Sequence, residues 1–159
     1  WSARSDPSAL AQEFAGWDPM VETIIAQVKT TFRWGLFDRE PLANWTRGRL
    51  TLLGDAAHPM LPHIGQGANQ AIEDAVALAT VLSHADRKSA PRALLIYEQL
   101  RRERTAGVQR MSRVSGARYD AASGDLQSRD RKLDAQRQER AWVWNHDAYA
   151  EAEAAAASL

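Results

Sequence analysis

Asp55, His58 and His63 fall within the seventeen-residue segment GDAAHPMLPHIGQGANQ, residues 54–70. A carboxylate and two imidazoles so spaced admit three kinds of chemistry. Asp55 can accept hydrogen bonds from the hydroxyls of a ligand. An imidazole that titrates near neutrality can take a proton or bind a hydroxyl or carboxylate. All three could in principle hold a metal ion, but their spacing matches no tight site and the intervening prolines disfavour one, so no metal is expected. Gly54 allows a backbone or ligand to approach closely. Pro59 and Pro62 stiffen the segment and remove two N–H donors. Gly65, Gln66 and Gly67 lead into a helical pattern, whose first N–H groups have no partner within the helix and carry the positive end of its dipole. Such an end suits an anion or a polarised carbonyl. It is not a dinucleotide fingerprint, because Gln70 stands where a third glycine would be, and the chain has neither GxGxxG nor a P-loop lysine motif.

These residues need elements to hold them. Arg49–Leu53, RLTLL, reads as a compact apolar strand running into Gly54. From about Gln66 the period becomes helical, with Ala68, Ala71, Ile72, Ala75, Leu78, Ala79 and Leu82 forming a stripe of mostly small residues. A strand, a turn-rich loop and a helix in that order make the geometry of a ligand site at the edge of an α/β sheet. Upstream, residues 6–30 read as helix with starts at Asp6-Pro7 and Asp18-Pro19. Residues 31–38, TFRWGLFD, read as a strand on which Trp34 and Phe37 face opposite ways. Downstream, Pro91 to about Tyr119 reads as a long helix with Leu94, Tyr97, Leu100, Val108, Met111 and Val114 on its apolar side. A charged stretch over 125–144 follows, then an alanine-rich tail expected to fray or pack in part. His58 is expected to serve the loop itself. His84 and His146 read as surface or helix-end residues, and Glu73 and Asp74 as helix surface charges able to pair with the Arg101–Arg104 run, itself a solvated face. Trp142 and Trp144 read as packing anchors.

The chain has 159 residues, 45% of them apolar, enough to bury a core. Lysine plus arginine and aspartate plus glutamate number 20 each, so the formal net charge is zero and no basic excess points to nucleic acid or a membrane surface. With no cysteine, disulfide frameworks and thiolate metal sites are out, which fits a cytoplasmic setting. No apolar run approaches the roughly 20 residues that span a bilayer. The opening WSARSDPS has no apolar core of a signal peptide, and the scarcity of strands for a sheet suggests a piece of something longer.

The stretch GRLTLLGDAAHPMLPHIGQGANQAIEDAVALATVL resembles the second FAD motif of flavin-dependent aromatic hydroxylases, of the salicylate hydroxylase and 6-hydroxynicotinate 3-monooxygenase type. RWGLFDREPLANW before it, and ALLIYEQLRRERTAGVQRMSR and ERAWVWNHDA after it, resemble the same family. The resemblance implies an α/β fold: the C-terminal portion of an FAD-binding Rossmann-like fold, with a last sheet strand, part of the substrate-domain sheet and long C-terminal helices. It implies residues 1–44 as the end of a substrate-binding domain, 45–85 as the FAD-binding strand, loop and helix, and 86–159 as a C-terminal helical region. Asp55, beside Gly54, would bond the ribityl chain of FAD. Gly65, Gln66, Gly67, Ala68 and Asn69 would wrap the isoalloxazine edge, with the N–H groups of Ala68 and Asn69 near N1 and the C2 carbonyl. Pro62 would touch both flavin and substrate, and His63 would lie beside the substrate ring as a base or hydrogen-bond partner, with Trp34 lining the pocket.

The implied reaction is hydroxylation of a small aromatic acid with O₂ and NADH or NADPH, the cofactor carrying the redox chemistry. It would need the N-terminal part of such an enzyme, and a homodimer through the C-terminal helices is open. Two other readings stand beside it: a non-catalytic helical interaction fragment, and a metal-dependent hydrolase using Asp55 and the histidines.

Overall fold

A computed structural model of the chain describes residues 2–120, 141–157 and 159. It divides into two compact units, Trp1–Leu36 and Phe37–Leu159.

The first unit contains β1 (Ser2–Ser5), α1 (Pro7–Glu13), α2 (Pro19–Ile25) and β2 (Thr31–Trp34). Both helices start as the Asp-Pro pairs dictate: Asp6 accepts from the Ser8 N–H and Asp18 from the Met20 N–H, each at 2.8 Å. The helical stretch expected over 6–30 is thus two short helices, broken after Glu13 by a turn in which Gly16 takes φ 82°. Phe14 and Trp17 meet edge to face in that turn, their centroids 4.9 Å apart. β1 and β2 pair antiparallel, with Ser2 opposite Trp34 and Ser5 opposite Thr31. The strand expected over 31–38 stops at Trp34, and Phe37 opens the second unit.

The second unit is built on α3 (Gly67–Ser83), with α4 (Ala90–Asp120), α5 (Ala141–Trp144) and α6 (Ala148–Ala156). Trp45, Ala57, Ala77, Val81, Ala93, Tyr97, Ala152 and Ala156 form its core. α6 turns Ala148, Ala152 and Ala156 inward at four-residue steps, and Asp147 caps it by accepting from the Ala150 N–H at 2.9 Å. The alanine tail therefore belongs to the core instead of fraying, because methyl side chains let α6 lie close to α3. The RLTLL segment forms no strand among the described residues. It folds back in a tight turn in which Arg47 and Leu50 face each other around Gly48, leaving Leu50 exposed. A strand needs a ladder of partners for its N–H and C=O groups, and among the described residues 49–53 has only Trp45–Arg47 beside it, with the Leu52 N–H donating to the Trp45 carbonyl at 3.2 Å. The charged stretch expected at 125–144 lies, up to residue 140, outside the described residues.

Candidate functional site

The loop from Gly54 to Gln66 contains two short 3-10 turns, Gly54–Ala56 and Pro62–Ile64. Gly54 sits at φ 60° with its Cα face against α3; a Cβ there would come 3.4 Å from the Cβ of Ala71. The second turn closes with Gly65 at φ 63°, and the chain enters α3 at once. Gln66 precedes α3 without supplying a side-chain cap. The N–H groups of Gly67, Ala68 and Asn69 therefore find no acceptor among the described residues, and the first bond back is from the Gln70 N–H to the Gln66 carbonyl at 2.9 Å. Gln66 is buried, and its Nε2 is a donor without a partner. A buried amide N–H left unpaired is costly, and the residue that carries it directly precedes the three backbone donors without acceptors. Asp55 is exposed and its carboxylate is bonded to nothing among the described residues.

The rest of the loop is tied down from two sides. Arg39 Nη2 donates to the Ala56 carbonyl and, at 3.0 Å, to that of Ala57. From α4, Gln109 Nε2 donates to the Pro59 carbonyl at 2.8 Å and Ser112 Oγ to the Leu61 carbonyl at 2.5 Å. Pro62 is exposed, whereas the half-buried His63 ring lies over Gly116 of α4.

Beneath the loop lies a buried ion cluster. Asp74 on α3 accepts from His58 Nε2 at 2.6 Å, Arg101 Nε at 2.8 Å and the Gly54 N–H at 3.0 Å. Since a carboxylate only accepts, His58 donates from Nε2; its Nδ1 is buried without a partner. Arg101 also donates to Gln70 Oε1 at 2.9 Å and Glu73 Oε2 at 2.8 Å. Arg104 forks onto Glu73 at 2.6 and 2.8 Å and reaches the Trp142 and Val143 carbonyls. Burial pushes the Asp74 carboxyl upward, but hydrogen bonds from His58, Arg101 and the Gly54 N–H outweigh it and hold it below the usual range. Glu73 behaves alike: burial raises it, and the Arg104 and Arg101 guanidiniums bring it below its ordinary value. Burial and the Arg104 charge lower the His146 imidazole.

Several expectations change at this point. Asp74 and Arg101 are fully buried, so neither is a surface charge, although the expected pairing of Glu73 and Asp74 with the arginine run is present. The arginine run is only partly a solvated face: Glu103 is exposed and Arg102 partly so, whereas Arg101 points inward, where two carboxylates balance its charge and the Gln70 carboxamide accepts a further hydrogen bond. His146 is mostly buried and lies 3.7 Å from Glu73. Trp142 packs under the Arg104 guanidinium, which lies 5.2 Å from its ring centre, whereas Trp144 is exposed. Asp55, His58 and His63 are not gathered as one ligand set: His58 is bonded to Asp74, and the His63 ring lies over Gly116. Among the described residues no group of three or more His, Asp or Glu side chains could hold an ion. Trp34 lies exposed on β2 of the first unit.

Residues 18–113 match the family model described as FAD binding domain. The chain is 44% identical over 151 residues to 3-amino-4-hydroxybenzoate 2-monooxygenase PtmB3 of Streptomyces platensis, covering 93% of this chain and 38% of that protein. It is 44% identical over 108 residues to 6-hydroxynicotinate 3-monooxygenase of Pseudomonas fluorescens, covering 68% of this chain and 28% of that protein. Its fold is similar to that of a salicylate hydroxylase substrate complex, with a TM-score of 0.81 and 35% identity over 98% of this chain and 38% of that one. The chain thus spans less than two fifths of the length of these relatives.

Proposed function

Because this chain belongs to the FAD binding domain family, we propose that it is the flavin-facing C-terminal part of a monooxygenase that hydroxylates a small aromatic acid, using O₂ and NADH or NADPH. The observation that carries the reading is that, within one loop and the helix start it leads into, the first three N–H groups of α3, the buried Gln66 Nε2 and the exposed Asp55 carboxylate have no partner among the described residues. These groups fit FAD: a polyhydroxyl chain suits a lone carboxylate, and an electron-rich ring edge suits a cluster of N–H donors at a helix N-terminus. When bound, the flavin supplies the redox chemistry that passes one oxygen atom of O₂ to the ring.

The protein's residues do the rest. Asp55 accepts from ribityl hydroxyls, with Gly54 keeping the backbone close. Gly65, Gln66, Gly67, Ala68 and Asn69 present donors to the pyrimidine edge, where negative charge collects on reduction. Pro62 would border the ring system and, having no N–H, would add no competing donor. His63 accepts a proton from, or bonds to, a phenolic hydroxyl or carboxylate of the substrate, and a deprotonated phenol is the more electron-rich ring. Residues 1–44 belong, on this reading, to the substrate-binding side, and the C-terminal helices are available to a second copy. A cytoplasmic setting goes with the same proposal.

The test is direct. FAD is titrated into the purified protein while its visible spectrum is followed. NADH or NADPH oxidation is then measured with salicylate, 6-hydroxynicotinate and 3-amino-4-hydroxybenzoate. Asp55→Ala should weaken FAD binding by about tenfold or more, the loss of hydrogen bonds to a charged acceptor being worth roughly 1.5–3 kcal/mol. Flavin affinity untouched by Asp55→Ala would sink the assignment of Asp55. No flavin uptake even with the enzyme's N-terminal part supplied would leave a helical interaction fragment as the better account.

A further inference from the structure

α4 carries two glycines inside its helical run, Gly107 and Gly116, at positions where alanine would form helix better. Each lies under a ring. A Cβ on Gly107 would stand 3.0 Å from the Trp142 ring, whereas one on Gly116 would stand 2.5 Å from both Cδ2 and Nε2 of His63. Carbon and nitrogen atoms in contact sit about 3.5–4.0 Å apart, so at Gly116 the ring occupies the space a methyl group would need. The same helix also grips the loop just before His63, through Gln109 to the Pro59 carbonyl and Ser112 to the Leu61 carbonyl. Positions 109, 112 and 116 follow at steps of three and four and so share one face of α4.

We infer that Gly116 is a positioning residue, the absence of its side chain forming the socket that sets the orientation of the His63 imidazole toward an aromatic substrate. The inference rests on the reading that His63 acts on the substrate side. Because Gln109 and Ser112 hold the loop backbone in place, a methyl group at 116 is accommodated by the ring, the far end of a rotatable side chain, and not by retreat of the loop. Gly116→Ala therefore swings His63 while leaving the fold intact. The row would not be found from apolar periodicity, since it consists of an amide, a hydroxyl and a glycine.

The experiment uses the FAD-loaded protein with labelled histidine, its His63 ring resonance identified by its loss in His63→Ala. Gly116→Ala should move that resonance, leave the His58 resonance in place and keep the melting temperature at or above that of the parent. It should lower kcat/KM for the aromatic acid that the screen finds active by about 10- to 100-fold, as small misplacements of a reacting group do. In the His63→Ala background the same substitution should change kcat/KM less than about twofold, because the group it displaces is gone. An unmoved His63 resonance, a lowered melting temperature, or an equal loss in both backgrounds would overturn the inference. If His63→Ala alone leaves turnover unchanged, the substrate-side role of His63 fails, and the ring resonance still decides whether Gly116 is its socket.

Discussion

At Asp74 one carboxylate with no solvent exposure takes bonds from His58, Arg101 and the Gly54 N–H. A buried ion pair stripped of one partner leaves an uncompensated charge, which typically costs about 3–5 kcal/mol. Arg101→Met should therefore lower the unfolding free energy by roughly that amount in a urea titration, and Asp74→Asn by a similar one. Replacing the exposed Arg92 by methionine should change it by less than about 0.5 kcal/mol. The acid limb follows from the same groups. Asp74 and Glu73 have folded-state values below their ordinary 3.8 and 4.5, so their contribution is complete above that range. It is lost as pH falls through the range and on through the depressed values. His146 is lowered from 6.5, which favours the neutral ring in the folded state. Its contribution is present above 6.5 and declines as pH falls below it. Stability measured against pH should thus begin to drop below about 6.5 and steepen below about 4.5. His146→Gln should flatten the upper part alone, and an unaltered upper limb in that variant would remove His146 from the account.

Among the elements, α6 is packed by alanines. Ala152 has no solvent exposure, so a leucine there has nowhere to go and should destabilise by about 1–3 kcal/mol. Asp147→Ala, which deletes the helix cap, should cost about 1 kcal/mol. Thermal melts of both against an exposed control such as Glu151→Gln would separate packing from capping. α6 also shows what sequence reading reaches and where it stops. Asp-Pro pairs announce helix starts because a cap is a local event, and both are where the residues put them. The glycines at 54 and 65 likewise declare a loop that needs positive φ. The tail's alanines carry no such local sign: a methyl group is equally at home on a frayed end or in a tight helix contact, and only α3 decides between them. RLTLL misleads for the same reason. Its compact apolar run describes a strand, but a strand exists only in a ladder, and a tight turn back to Trp45–Arg47 is all that the described residues give it. At the site, the free donors before α3 follow from the Gly-Gln-Gly entry to the helix. Gln109, Ser112 and Gly116 come from 50 or more residues further on than the loop residues they meet, on a face that hydrophobic patterning assigns to no core. Arg101 was legible as a charge and illegible as a buried one.

Across the whole molecule, large apolar side chains stand exposed in both units, among them Phe32 and Trp34 in the first and Leu50 and Ile72 in the second. On α3, Ile72 and Val76 share a face that no described element covers. Exposed apolar surface of that kind drives association. The chain on its own should therefore self-associate at micromolar concentration in light scattering, and Ile72→Lys should reduce this while shifting stability by less than about 0.5 kcal/mol. Scattering that Ile72→Lys leaves as strong as before would place the sticky surface elsewhere. The ion cluster beneath the loop has a further consequence in time. Gly54 and His58 are held through Asp74 by Arg101, and Arg104 beside it is held by carbonyls of Trp142 and Val143. A nascent chain that has emerged only as far as the loop and α3 has made Asp74 without its counter-charge. The anchoring of the loop is thus completed late in synthesis, when α4 leaves the ribosome, and a ribosome stalled before residue 101 holds a loop that Arg39 can reach but whose Asp74 lacks its guanidinium.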